Sequence, residues 1–188
     1  PDVLFDLDLT RNRPDCWGYV GIARDVAPRL GVALRLAAPV LVTAGDTRRA
    51  SVELIDGERC GRFTSTVMSG VRVGPSAMWM QRRLTAAGMR AISNVVDVSN
   101  YVMLELNQPT HAYDLDTLGG GGFRIRAARD GERMITLDGV ERTFTPADVL
   151  ICDAADRPIG IGGVMGGLDT EITGDTTTVA LEAAWFTP

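Results

Sequence analysis

The 188-residue chain contains no lysine, so all 19 of its basic residues are arginine. That absence excludes a lysine Schiff base and a Walker-type phosphate loop, whose lysine takes part in the chemistry. Cysteine is scarce too: Cys16, Cys60 and Cys152 lie far apart and form no CxxC pair. This argues against both a disulfide framework and a zinc site and suits a reducing compartment. No apolar run comes near the roughly 20 residues a membrane span needs, and PDVLFDLDLT carries no basic stretch followed by an apolar region, so neither a membrane partner nor a secretory route is expected. Positive charge is also short. With a net charge of -5 and a pI near 4.9, the chain lacks the basic stripe of a protein that grips a long duplex through its phosphates.

What is present suits a globular protein able to bury a core. The opening V-L-F-D-L-D-L alternates with period 2, which predicts a strand with one buried face. TRNRPDCWGYVGIARDVAPRLG reads as a helix with Asn12 as cap, Pro14 in the first turn, Gly31 as stop, and Pro28 kinking or shortening it. The polar, small-residue stretch VTAGDTRRA reads as a linker, which places a boundary near Pro39. ASVELID and RFTSTVMSGVRV read as strands. GPSAMWMQRRLTAAG reads as a helix packed on both sides, with Arg82 and Arg83 at its wet edge. In SNVVDVSNYVMLELN, Val95, Val98, Val102 and Leu106 share a core face, and Ser93, Asp97, Asn100 and Leu104 a partly polar one. Asn107 and Pro109 end this helix, so His111 sits just beyond it.

After the glycines at 119–122 the pattern turns to strands: FRIRAA, ERMITLDG, ERTFT, DVLICD, RPIGIGG and TTVALEAAW. Helices precede a strand-rich half. The expected class is α+β, a layered sandwich of packed helices and a mixed, mostly antiparallel sheet.

Three features carry chemistry. His111, in NQPTHAYDLD, is the only histidine. It can be a structural residue, a catalyst, or with Asp114 and Asp116 a metal ligand, although Asp114 is equally suited to capping the turn LDTL. GIGGVMGG, at 160–167, has too many glycines for a strand interior unless something approaches the backbone closely. It fails as a dinucleotide fingerprint, because Met165 replaces the third glycine. It is either a backbone-walled pocket or a pair of tight turns. Glu182, in VALEAAWF, either points to solvent from an alternating strand or anchors an apolar pocket.

These stretches, TRNRPDCWGYVGIARDVA, GPSAMWMQRRLTAAGMRAISNVVDVSNYVMLELNQPTHAYDLD, and GIGGVMGG with ALEAAWF, together closely resemble the beta chain of bacterial phenylalanyl-tRNA synthetase, in the region of its editing domain. The resemblance runs end to end. It implies hydrolysis of tyrosine wrongly esterified to tRNA(Phe), by direct attack of water. The histidine of the family's QPxHAFD motif corresponds to His111 and the asparagine of VDVTN to Asn100, with Ser99 in place of threonine. Glu182 matches the glutamate of LLExAxF that recognises the tyrosine hydroxyl. Gly163, Gly166 and Gly167 match the glycines of GVMGG, with Gly162 before them and the Gly163 amide near that hydroxyl. Tyr113 replaces the family's Phe.

The resemblance also implies that residues 1–39 belong to an adjoining N-terminal domain and 40–188 to an editing domain continuing past Pro188 into a TEASxRFERG-like segment. Its partners would be the acceptor end of tRNA(Phe) and, in an alpha-beta heterotetramer, the synthetase alpha chain. No metal or cofactor is expected for editing, ATP and Mg serving the whole enzyme elsewhere, and the location is cytoplasmic. The alternative is a structural or RNA-docking module without hydrolysis.

Overall fold

In the computed structural model, which describes residues 3–36, 38–40, 45 and 48–187, the chain divides into two units. Pro1–Gly45 and Pro75–Pro109 form a helical unit, and Asp46–Gly74 and Thr110–Pro188 a sheet unit. The boundary expected near Pro39 therefore falls inside the first unit, and the linker expected over VTAGDTRRA lies mostly outside the described residues.

The helical unit departs from expectation at its start. Residues 3–10 form no strand, and Val3, Leu4 and Phe5 stand exposed. Alternation predicts a strand only where a neighbouring strand exists, and residues 3–10 join none of the sheets among the described residues. Pro14–Trp17 is a 3-10 turn, and α1 (Tyr19–Leu30) begins after Gly18, not at Asn12. Gly31, at φ 62°, closes the helix as expected, while Pro28 is accommodated inside its last turn. Next come α2 (Met78–Ala86), stopped before Gly88 at φ 80°, and α3 (Asn94–Leu106). Only one face of α2 packs. Met80 and Leu84 are buried, while Met78 and Trp79 are exposed.

α3 is capped by Ser93, whose Oγ accepts from the Val96 amide, and ends at Asn107 in the left-handed region at φ 59°. Its faces differ from the expected assignment. Val98 and Leu106 are exposed, and the buried position is Asp97 at 1%. The carboxylate is satisfied there: Ser76 Oγ donates to Oδ2, and the Ile92 amide donates to Oδ1 at 2.7 Å. Hydrophobic periodicity cannot anticipate a polar group buried for its hydrogen bonds. Asp97→Ala orphans both donors and is expected to cost about 2–3 kcal/mol, measured by chemical denaturation. An unchanged midpoint would show that the carboxylate is dispensable.

The sheet unit contains β1 (Ser51–Leu54), β2 (Cys60–Ser69), β3 (His111–Asp114), β4 (Gly122–Ala127), β5 (Arg133–Ile135), β6 (Glu141–Thr143), β7 (Val149–Asp153), β8 (Pro158–Ile161), β9 (Met165–Gly166) and β10 (Thr178–Phe186). Every strand expected after the glycine run is present. β3, just past the end of α3, and β9, inside the glycine segment, are additional. A five-stranded sheet has the order β1-β4-β7-β8-β9, with only β1 and β4 parallel; a second, antiparallel sheet has the order β2-β10-β3, and β5 pairs with β6. The core explains the layering. Phe63 of β2, Tyr113 of β3 and Ala180 of β10 meet Phe123 and Ile125 of β4, Ile151 of β7 and Ile159 of β8 between the sheets. Leu150 and Cys152, one step out of phase on β7, pack instead with Met134 and Phe144. The fold is the expected α+β sandwich with mostly antiparallel sheets.

Candidate functional site

The site grows from β10. In this strand Ala180, Glu182, Ala184 and Phe186 alternate onto one face, and Ala180, Ala184 and Phe186 belong to or pack against the inter-sheet core. Period 2 therefore aims Glu182 inward. The solvent reading is overturned: Glu182 is 7% exposed, whereas Trp185, on the opposite face, is 56% exposed. Tyr113 Oη donates to Glu182 Oε2 at 2.9 Å, and Tyr113 is fully buried. Burial raises the Glu182 carboxyl to about 7, with the Tyr113 hydrogen bond pulling the other way. The Tyr113 hydroxyl is held well above its ordinary range, first by burial and then by the carboxylate.

His111 opens β3 and pairs directly with Glu182 across the ladder. Direct antiparallel partners share a face, so the imidazole stands beside the carboxyl. Its ring meets Tyr113 edge-on, with centroids 4.5 Å apart. Burial lowers His111 to about 4, so at neutral pH it is uncharged. Asp114 does not join it. That carboxylate caps the turn after β3 by accepting from the Asp116 amide at 3.0 Å, and it accepts from Thr176 Oγ1 at 2.7 Å. Among the described residues no three His, Cys, Asp or Glu side chains gather as a metal site would require.

The glycine segment is neither a plain strand nor only turns. Gly160, Met165 and Gly166 pair in the sheet, and Gly163 turns the chain at φ 71°. A Cβ on Gly166 would run into His111 Nε2, and one on Gly160 would lie 3.1 Å from Tyr113 Oη. These two glycines exist so that the backbone can approach the polar cluster. Gly162 and Gly163 lie elsewhere. A Cβ on either would meet the ring of Phe186, at 2.8 Å and 3.3 Å, four residues beyond Glu182 and about 13 Å along the strand. Gly167 packs against Ile159 and Met134.

The expected residues thus fall into two groups. His111, Glu182 and Gly166 meet in the sheet unit, with Gly162 and Gly163 further along β10. Asn100 and Ser99 belong to the helical unit, on α3, where Ser99 Oγ donates to the Val96 carbonyl at 2.8 Å. Sequence reasoning missed Ser65, which pairs with Glu182 from the other side of β10. The only clue was its place between Phe63 and Val67, hidden by the polar neighbours Thr64 and Thr66.

A family model described as "B3/4 domain" matches residues 59–188. The chain is 48% identical over its whole length to the phenylalanine–tRNA ligase beta subunit of Carboxydothermus hydrogenoformans, covering 23% of that protein. It is 50% identical over its whole length to that of Anaeromyxobacter dehalogenans, covering 24%. It therefore spans about a quarter of the curated relatives it matches. Among solved structures, an N-terminal fragment of the phenylalanyl-tRNA synthetase beta-subunit from Pyrococcus horikoshii superimposes with a TM-score of 0.56 at 15% identity, covering 94% of this chain and 53% of that one. At that identity the likeness speaks for the fold alone.

Proposed function

The chain belongs to the B3/4 domain family, and from that premise, with its end-to-end similarity to phenylalanine–tRNA ligase beta subunits, we propose that it forms the editing module of such a synthetase. It hydrolyses the ester of tyrosine wrongly joined to tRNA(Phe). The observation that carries this reading is the Glu182 carboxyl, buried on the inner face of a sheet beside His111 and among aromatic side chains. Tyrosine exceeds phenylalanine by one hydroxyl, so a hydrolytic site cannot exclude the correct product by size. It must recognise the hydroxyl, and a buried acceptor left unpaired by the wrong ligand discriminates far better than a steric wall. Glu182 is that acceptor. The Gly163 amide, which the resemblance sets near that hydroxyl, is the donor that complements it in this reading.

For the chemistry, an ester needs only a positioned water and support for the developing oxyanion. Water adds to the carbonyl carbon, the bond to the ribose oxygen breaks, and a proton passes to that oxygen. A histidine held near 4 is a weak base at neutral pH, which supports His111 orienting water or the terminal ribose. For Asn100 and Ser99, in the helical unit, a role rests on the family resemblance alone. Within a synthetase the module would receive the tRNA acceptor end in the cytoplasm, while the alpha chain, with ATP and Mg, serves aminoacylation elsewhere. Editing itself would need no cofactor.

A second reading, a docking module without hydrolysis, rests on the helical unit. Arg83 lies over Trp79 and Tyr101 there and donates to Tyr101 Oη at 2.7 Å, an arrangement that suits base stacking. Deacylation of tyrosyl- and phenylalanyl-tRNA by the intact synthetase separates the two. Hydrolysis of the tyrosyl ester alone is expected, and hydrolysis of neither would sink the editing assignment.

A further inference from the structure

Glu182 has a neighbour on each side. β10 pairs it with His111 of β3 and with Ser65 of β2, and direct antiparallel partners place their side chains on one face, Cβ atoms about 4.5–5.5 Å apart. Which face β2 turns inward is fixed by Phe63 and Val67, two residues either side of Ser65, because both pack in the inter-sheet core. Ser65 therefore faces inward beside the carboxyl. Its Oγ is buried and makes no hydrogen bond. Its neighbour Thr64 shows what a satisfied hydroxyl on this strand does: facing the other way, it donates to the Ala183 carbonyl at 2.7 Å. Buried polar atoms are nearly always paired, so one left orphaned beside an ionisable group calls for an explanation. Thr170, the other such hydroxyl among the described residues, lies on the short 3-10 turn Leu168–Thr170, outside the strands.

The carboxyl is half occupied. Tyr113 reaches Oε2, and among the described residues no donor reaches Oε1. The inner face thus presents, side by side, a free carboxylate oxygen and a hydroxyl with its proton unspent. A phenolic hydroxyl is the complement of that pair, since it donates one hydrogen bond and accepts another.

We propose that Ser65 is a specificity-determining residue for a ligand phenol: its hydroxyl donates to the phenolic oxygen while Glu182 accepts the phenolic proton. The proposal rests on the editing reading. A phenylalanine ring would satisfy neither group, so the pair adds to the discrimination that Glu182 supplies by itself.

The experiment is made in the intact synthetase carrying this chain, with Ser65→Ala, Ser65→Thr and Ser65→Val assayed for deacylation of tyrosyl- and phenylalanyl-tRNA beside Glu182→Ala. Ser65→Ala should lose roughly five- to tenfold in kcat/KM for the tyrosyl ester, as befits one hydrogen bond, with the phenylalanyl ester unaffected. Its Tm should hold or rise, because the hydroxyl removed has no partner in the unliganded protein. Thr and Val share a shape and differ by the hydroxyl, so Thr should retain tyrosyl hydrolysis and Val should lose it. Equal loss with both esters, or a Tm lowered alike by Thr and Val with activity following it, overturns the proposal in favour of a packing role. If no Ser65 variant changes either rate while Glu182→Ala still loses tyrosine preference, Ser65 is excluded and the editing reading stands. If the unaltered enzyme hydrolyses neither ester, that reading falls and the proposal with it.

Discussion

Glu182→Ala is expected to lower tyrosyl-tRNA hydrolysis by about 10²-fold, the scale of one hydrogen bond to a charged acceptor, and to leave the slow hydrolysis of phenylalanyl-tRNA nearly unchanged. The asymmetry follows from where the carboxyl stands. In the editing reading it meets the one atom that distinguishes the two ligands and takes no part in water attack, so its removal should delete recognition and spare the chemistry. The single variant also strands the Tyr113 hydroxyl, which donates to Glu182 at 2.9 Å in a fully buried position, and that should cost about 1–3 kcal/mol of stability. Pairing Glu182→Ala with Tyr113→Phe removes donor and acceptor together and should recover most of the stability without recovering selectivity. Unfolding midpoints and kcat/KM for both esters, measured on both variants, separate the two effects. Equal loss for both esters in the stable double variant would make Glu182 a structural residue.

How much of this was legible depended on whether the decisive force is local. The cap at Asn107, the stop at Gly31, and the strands from FRIRAA to TTVALEAAW follow from turn chemistry and period 2, and they stand as read. The opening strand failed because alternation states a capacity and a ladder needs a partner. The α3 faces failed because Asp97 is buried by two hydrogen-bond donors brought from Ser76 and Ile92. At the site, the resemblance directed attention to His111, Glu182 and the glycines, and β10 unites the first two by direct pairing. Spacing along the chain could not say that Gly166 faces His111 while Gly163 faces Phe186, because a turn between them sends the two to different neighbours. Nor could it find Ser65, 117 residues from Glu182, whose inward direction comes from Phe63 and Val67.

The stability of the native protein relative to Glu182→Gln should fall as pH rises toward 7 while its selectivity rises, and the rise in selectivity should disappear in Glu182→Gln. The Glu182 carboxyl lies at about 7 in the folded chain against an ordinary 4.5, because burial penalises its charge. Between those values the folded protein keeps a proton on Glu182 that the unfolded chain has released, so the stability this carboxyl contributes falls as pH rises from about 4.5 to about 7. Above that it stays lower by about 3 kcal/mol. Glu182→Gln should therefore be more stable than the native protein above pH 7 by up to that amount, with the gap closing near pH 4, as read from denaturation midpoints. In the folded chain the other groups around the carboxyl keep their charge between these values, but in the unfolded chain His111 does not. Burial holds Tyr113 and Cys60 above their ordinary values and takes His111 from an ordinary 6.5 down to about 4, so His111 adds stability as pH rises from about 4 to 6.5, and the difference between the native protein and Glu182→Gln isolates the carboxyl. Ionisation, which costs stability, is also what makes Glu182 a strong acceptor, because a hydrogen bond to a carboxylate is roughly twice as strong as one to a neutral group. The ratio of tyrosyl to phenylalanyl hydrolysis should rise through pH 7, the phenylalanyl ester correcting for the general acceleration by hydroxide. A ratio that stays flat from about pH 5 to 9, or an inflexion that survives Glu182→Gln, would move the titrating group elsewhere and remove the carboxylate from recognition.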